Sequence, residues 1–182
     1  MRKLSLLIVI TLLLSGCSTG EKTPTLALGD IPSCDQIDTS KVTTKKLQMQ
    51  CLDGSSNINF YSIKGPLIIN VWASWCEGCK EEMPYFIDLY ANPAFKSGEI
   101  KLLGVDVEES SKDAAIRFIK AYGMSWPHLV DSDGRSKGLF GLGVPVTWFI
   151  DERGEVVDKK IGAYLNKDEL FTQVEKAFGV KL

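Results

Sequence analysis

The sequence predicts an α/β domain in which a mixed sheet carries helices on both faces, and three observations lead there. Residues 67–71 (LIINV) form a short apolar run rich in β-branched side chains, the composition of a strand covered on both faces. It is followed at once by Met83, Phe86, Ile87 and Tyr90, whose i, i+3, i+4, i+7 spacing marks one buried helical face. A second such unit begins at residues 100–107, with Ala115, Phe118, Ile119 and Tyr122 as its helical stripe. Near the C-terminus, residues 146–150 and 156–161 flank a turn at Arg153-Gly154 and precede another helix, which adds an antiparallel hairpin to the parallel pair.

In chain order, residues 1–16 open with Arg2-Lys3 and continue as an apolar run from 4 to 14, the layout of a secretory signal and too short for a membrane span. Leu14-Ser15-Gly16-Cys17 resembles the bacterial lipobox, which implies cleavage before Cys17 and acylation of its sulfur; an ordinary signal with an incidental cysteine is the alternative. Acyl chains contribute about 0.8 kcal/mol per buried CH₂, so two long chains would hold the protein at a membrane surface. Residues 17–40 are expected to be the lipidated N-terminus and tether, with Thr, Gly and Pro and little periodicity between 18 and 33, and residues 41–182 the folded domain.

Within that domain, residues 47–52 and 57–63 read as two strands around Asp53-Gly54. The helix after residue 71 is expected to be interrupted at Pro84. Residues 100–107 should pair parallel with 67–71, and Ser110 or Ser111 should cap a helix that ends at Gly123, giving a right-handed βαβ unit. Residues 128–130 read as a short strand, 131–134 as a turn, and 136–140 as a helical turn before a glycine-rich approach to Pro145. Asn166 and Glu169 resemble a capping box, and Leu170, Val174, Ala177 and Phe178 line the last helix.

A net charge of −2 over 182 residues, with no basic cluster longer than Lys45-Lys46, leaves no electrostatic footprint for nucleic acid. The chemistry therefore centres on the five cysteines. Cys76 and Cys79 fall where a buried strand gives way to a helix, and free N–H groups and the positive dipole end there stabilise a thiolate. Cys76, nearer the end, is the expected nucleophile; Cys79, one turn deeper, is the expected resolving thiol, and Trp75 would shield the pair. A CxxC by itself serves equally as half of a zinc site or a structural staple, and the strand-then-helix setting favours redox chemistry.

With Cys17 assigned to lipid, Cys34, Cys51, Cys76 and Cys79 remain in a compartment that permits disulfides, and they allow three pairings. The closeness of Cys76 and Cys79 leaves Cys34 with Cys51 as a structural crosslink worth on the order of 3 kcal/mol. Two free buried thiols, or a four-cysteine zinc site, are the alternatives; no metal and no cofactor beyond the Cys76–Cys79 disulfide are expected.

NVWASWC followed by KEEMP, with WCEGC after a buried strand and the later run Gly143-Val144-Pro145-Val146-Thr147, resembles the TlpA/ResA-like thiol-disulfide oxidoreductases over residues 47–182. The resemblance implies a thioredoxin fold, a mixed central sheet flanked by helices with an N-terminal β-hairpin extension. It implies a cis bond at Pro145 facing the thiols, with Val144 offering its backbone to an extended substrate. Trp75, Val144 and Pro145 are thus the expected substrate contacts. It further implies that Glu82 exchanges a proton with Cys79, against the alternative that Glu81 and Glu82 merely complement the helix dipole. Gly78 departs from the family's usual proline, and Asn70 stands where cytosolic thioredoxins have a buried aspartate. Glu77 is expected in solvent, and the lone His128 is expected to be structural.

The function so implied is thiol-disulfide exchange with exported proteins by a monomer lipid-anchored on the extracytoplasmic face of a bacterial cell membrane and served by a membrane redox partner. Reduction of apocytochrome c cysteines is the favoured role. The alternatives are an oxidant for folding exported proteins and a non-catalytic binding module. A peroxidase reading fails because that family's Thr-x-x-Cys pattern in a proline-containing loop is missing.

Overall fold

The apolar run that precedes the cysteine motif is strand β3 (Leu67–Trp72), buried along its whole length. In the computed structural model, which describes residues 31–182, β3 lies between parallel β4 (Lys101–Val107) and antiparallel β6 (Val146–Ile150). The expected signal at 1–16, Cys17 and the expected 17–40 tether as far as residue 30 lie outside the described residues, whereas Ile31, Cys34 and Ile37 from the rest of that stretch are buried in the fold. With β1 (Gln48–Cys51), β2 (Asn57–Asn59), β5 (His128–Asp131) and β7 (Val156–Ile161), the strands form one seven-stranded mixed sheet in the order β2-β1-β5-β4-β3-β6-β7. This is a thioredoxin fold with the N-terminal hairpin joined to the sheet through antiparallel pairing of β1 with β5.

Helices α1 (Glu77–Tyr90), α2 (Pro93–Lys96), α3 (Lys112–Tyr122) and α4 (Lys167–Phe178) all send their buried side chains into one core cluster, with Ile68, Trp72, Leu102 and Phe149 from the sheet beneath. The expectation of helices on both faces is corrected here. Both parallel crossovers, β3-α1-β4 and β4-α3-β5, step the same way across the sheet, so right-handedness places both helices on the same face. The opposite face is covered by residues 34–63, with two short 3-10 turns at Cys34–Gln36 and Phe60–Ser62, and by Phe140. The expected helical turn at 136–140 is a series of turns, where Gly134, Gly138 and Gly141 adopt positive φ and break helical repetition.

Two further boundaries differ from expectation. Helix α1 runs without interruption through Pro84. Pro84 is exposed, so the Lys80 carbonyl that loses its partner is on the solvent side, while Met83, Phe86 and Leu89 anchor the helix from the core. Strand β2 stops at Asn59, where a 3-10 turn takes over. Ser111 caps α3 by accepting from the Ala114 N–H, and Gly123 closes it with φ 70°.

Cys34 and Cys51 are joined, with Cα atoms 6.0 Å apart and a sequence separation of 17, which secures the N-terminal segment to β1. By loop-closure entropy such a crosslink contributes about 3 kcal/mol. It belongs to the cluster opposite the helices, whereas Cys76 and Cys79 belong to the helical one.

Candidate active site

Strand β3 delivers the chain to residues 73–76, and Cys76 is the N-cap of α1. Its Sγ accepts from the Cys79 N–H at 3.1 Å and is bonded to Cys79 Sγ, with Cα atoms 5.3 Å apart. Cys79 is wholly buried, while Cys76 keeps 5% exposure, so an incoming thiolate can reach only the Cys76 side. Once reduced, a Cys76 thiolate would keep the N–H donors and positive end of α1.

Around the pair, Pro145 follows Val144 through a cis bond. The first turn of α1 lies against it: a Cβ added at Gly78 would stand 3.4 Å from both Pro145 Cδ and Ala163 Cβ. Trp75 is 54% exposed and donates through Nε1 to the Glu108 carbonyl at 3.0 Å. Together with Val71, Val107, Phe140, Leu142 and Val144 it lines a cleft of about 290 Å³ that contains neither cysteine and adjoins them in the chain through Trp75. Trp75 is thus a wall of this cleft as well as a neighbour of Cys76. Glu108 is the one residue other than glycine at positive φ among the described residues, and the adjacent Glu109 carboxylate accepts from both the N–H and the hydroxyl of Ser74. No local sequence pattern marks either acid.

Glu82, one turn beyond Cys79, is completely buried. Its Oε1 accepts from Asn70 Nδ2 at 2.9 Å and its Oε2 from the Tyr164 N–H at 3.1 Å. Burial raises its pKa to about 7, against the two hydrogen bonds and the Lys160 charge, which favour ionisation. The dipole-only alternative describes a solvated acid, and that is what Glu81 is. Glu77 is exposed and pairs with Lys80 at 3.0 Å.

His128 is fully buried, and burial pushes its pKa down to about 3, which keeps the imidazole neutral. Its Nδ1 accepts from Trp72 Nε1 at 3.3 Å, directly over Gly104, where an added Cβ would fall 1.9 Å from that nitrogen. Such a ring supports the core and is no base.

Asp106 is the acid that pattern reading passed over. It pairs in register with Trp72 and Val130, is wholly buried, and neither carboxyl oxygen has a hydrogen-bond partner. Burial, helped by the charge of Glu109, raises its pKa to about 8. The signal was present in GVDV, where an acid breaks an apolar strand. Because its folded pKa lies above the unfolded value, Asp106 favours the fold at low pH, and that contribution is lost as pH rises through about 8. Asp106→Asn is therefore expected to gain on wild type by about 1–3 kcal/mol between pH 5 and 8, from a slope of at most about 1.4 kcal/mol per unit. Urea unfolding at the two pH values checks this; a gap that does not change with pH would mean that Asp106 carries no extra proton in the fold.

Among the described residues no group of three or more His, Cys, Asp or Glu is placed to hold a metal ion. None of the helices among these residues is long and apolar enough to cross a membrane.

Residues 40–159 match the model of the AhpC/TSA family. The chain is 32% identical over 120 residues to the thiol-disulfide oxidoreductase ResA of Bacillus thuringiensis (strain Al Hakam), covering 65% of this chain and 61% of that protein. It thus spans less than two thirds of that relative's length. It is 31% identical over 133 residues to a ResA of Bacillus cereus, covering 72% of this chain and 69% of that protein. Among solved structures, DsbF of Mycobacterium tuberculosis, determined in mixed oxidised and reduced forms, superposes with a TM-score of 0.61 at 26% identity, covering 72% of this chain and 95% of that one.

Proposed function

The chain belongs to the AhpC/TSA family as a TlpA/ResA-like member with a thioredoxin fold, and from that premise we propose that it is a thiol-disulfide oxidoreductase working through Cys76 and Cys79 on exported proteins. The observation that carries this reading is the asymmetry of the pair: Cys76 caps α1 and keeps a small opening to solvent, and Cys79 is wholly buried one turn before Glu82.

In the reducing direction, the Cys76 thiolate attacks one sulfur of a substrate disulfide. A Cys76–substrate bond forms, and the other substrate sulfur leaves as a thiolate that takes a proton from solvent. Cys79 then gives its proton to the Glu82 carboxylate and attacks Cys76 Sγ. The Cys76–Cys79 bond forms, the mixed disulfide breaks, and the second substrate sulfur departs. Two electrons pass from the protein to the substrate. Cis-Pro145 and the Val144 main chain hold the substrate segment in extended form, and Trp75 with its cleft receives an apolar side chain next to the substrate cysteine. No metal or organic cofactor takes part.

Residues 1–16 serve as the export signal, and Cys17 as the acylated anchor that keeps the domain at the outer face of the cell membrane, a reading supported by Leu14-Ser15-Gly16-Cys17. The favoured substrates are apocytochrome c cysteines, with a membrane redox partner restoring the dithiol. The Glu77 charge between the cysteines opposes thiolate formation and so speaks against a strong oxidant.

Equilibration in glutathione buffers, with alkylation and peptide mass mapping, tests the proposal. One two-electron transition is expected at Cys76/Cys79, at a potential well below the roughly −120 mV of a strong oxidant. A value near that figure would reverse the direction of electron flow. A pair that does not exchange, or that holds zinc, would remove the enzyme reading.

A further inference from the structure

Strand register lines up a polar row that no local pattern reveals. Asn70 on β3 is opposite Thr147 on β6, and Thr147 is opposite Lys160 on β7. Register partners share a face of the sheet, here the face covered by α1 and α4. At the inner end Asn70 holds the Glu82 carboxyl at 2.9 Å. At the outer end Lys160, 27% exposed, is ion-paired with Glu169 of α4. In the middle, Asn70 Oδ1 is buried without a hydrogen-bond partner, and Thr147 is buried next to the Tyr164 side chain. A row of polar side chains in register thus runs from the buried acid one turn beyond Cys79 to a cation on the edge strand.

We propose that Lys160 acts through Glu82: its ammonium, held at the end of this row, adds to the Asn70 and Tyr164 hydrogen bonds in favouring the ionised carboxyl, and so helps to set the pH at which Cys79 resolves the mixed disulfide. The inference rests on the thiol-exchange reading above. The groups facing Glu82 are few and their signs are distinct. Asn70 and Thr147 are neutral. Tyr164, between β7 and α4, stays protonated because burial raises its pKa. Cys79 is the partner in proton exchange. Among the charged groups, Lys160 favours the Glu82 carboxylate, while Glu169 disfavours it. Lys160 bound to Glu169 is a partly neutralised cation, so the two residues pull the Glu82 pKa in opposite directions. As a mere surface ion pair they would leave the proton exchange untouched.

The test uses the reduced protein and dithiobis(nitrobenzoate). Attack by Cys76 releases one thionitrobenzoate and leaves the second as a mixed disulfide; attack by Cys79 on Cys76 Sγ then releases it in a first-order step. The rate of that second release is recorded against pH for wild type, Lys160→Met, Lys160→Arg and Glu169→Gln. The Glu82 carboxyl is titrated in parallel by isotope-edited infrared spectroscopy, which needs no turnover. Lys160→Met is expected to move the acid limb and the infrared midpoint up by about one pH unit. Lys160→Arg restores both, and Glu169→Gln moves both down. Midpoints unchanged in Lys160→Met, or moving the same way in Lys160→Met and Glu169→Gln, would overturn the proposal. If wild type shows no second release at all, the exchange reading fails, while the infrared titration still decides the role of Lys160.

Discussion

Cys76→Ala is expected to reduce insulin disulfide exchange to the uncatalysed rate, whereas Cys79→Ala is expected to turn the protein into a trap. Among the described residues Cys76 is the only cysteine at a helix N-cap with any opening to solvent in its cluster; Cys34 and Cys51 are consumed in a crosslink on the other face. Removing Cys76 therefore removes the attacking atom, and no other thiol can replace it. Removing Cys79 leaves the first attack intact and stops the second. The Cys76–substrate disulfide then persists, because the resolving sulfur that would displace it is gone. Incubation of each variant with an oxidised peptide, followed by non-reducing electrophoresis and mass analysis, reads both outcomes. Exchange by Cys76→Ala at the wild-type rate, or trapped adducts on Cys79 of that variant, would invert the assigned order.

Glu82→Gln is expected to slow the resolving step about 10²-fold at pH 8, the size of a lost general base, and hardly at all below pH 6. The sign follows from the pKa. With its pKa raised to about 7, Glu82 is a carboxylate above that value and can take the Cys79 proton; below it the acid is already protonated and wild type loses the advantage that the variant never had. The wild-type profile should therefore climb through about pH 7 where the variant stays flat until Cys79 ionises unaided. Removing the negative charge beside Cys79 also lowers the Cys79 pKa, so the profiles approach each other again at high pH. Folding is affected only mildly. The single amide oxygen of the substituted side chain can accept from Asn70 or from Tyr164 but not from both, a loss of about 1 kcal/mol. Rapid mixing of preformed Cys76–thionitrobenzoate adducts across this pH range checks the result, and superimposable profiles would leave Glu82 as a buried structural acid.

Much of the site could be read from short-range pattern. A strand followed by a helix, with cysteines three apart at the junction, is visible because each feature depends on residues within one or two turns of each other. The hairpin at Asp53-Gly54, the cap at Ser111 and the stop at Gly123 are likewise matters of neighbouring backbone. Patterns of this kind also misled where the wider setting ruled. Pro84 lies in a helix that core contacts hold together on either side of it, and residues 136–140 have enough apolar character to suggest a helix but too many glycines at positive φ to form one.

The βα units, the location of the redox-capable pair and the turn chemistry that surrounds it follow from residues close together in the chain. The state of the buried acids depends instead on packing between distant segments. Whether Glu82 is a solvated first-turn residue or a desolvated one depends on what α4 and the β7–α4 connection place over it, and Tyr164, Lys160 and Glu169 come from that distant part of the chain. The same holds for Asp106, unpartnered between Trp72 and Val130, and for His128 wedged over Gly104. Hydrophobic periodicity reports which face of an element is covered, but strand register across the sheet decides which polar groups share that cover, and desolvation by those neighbours sets their charge.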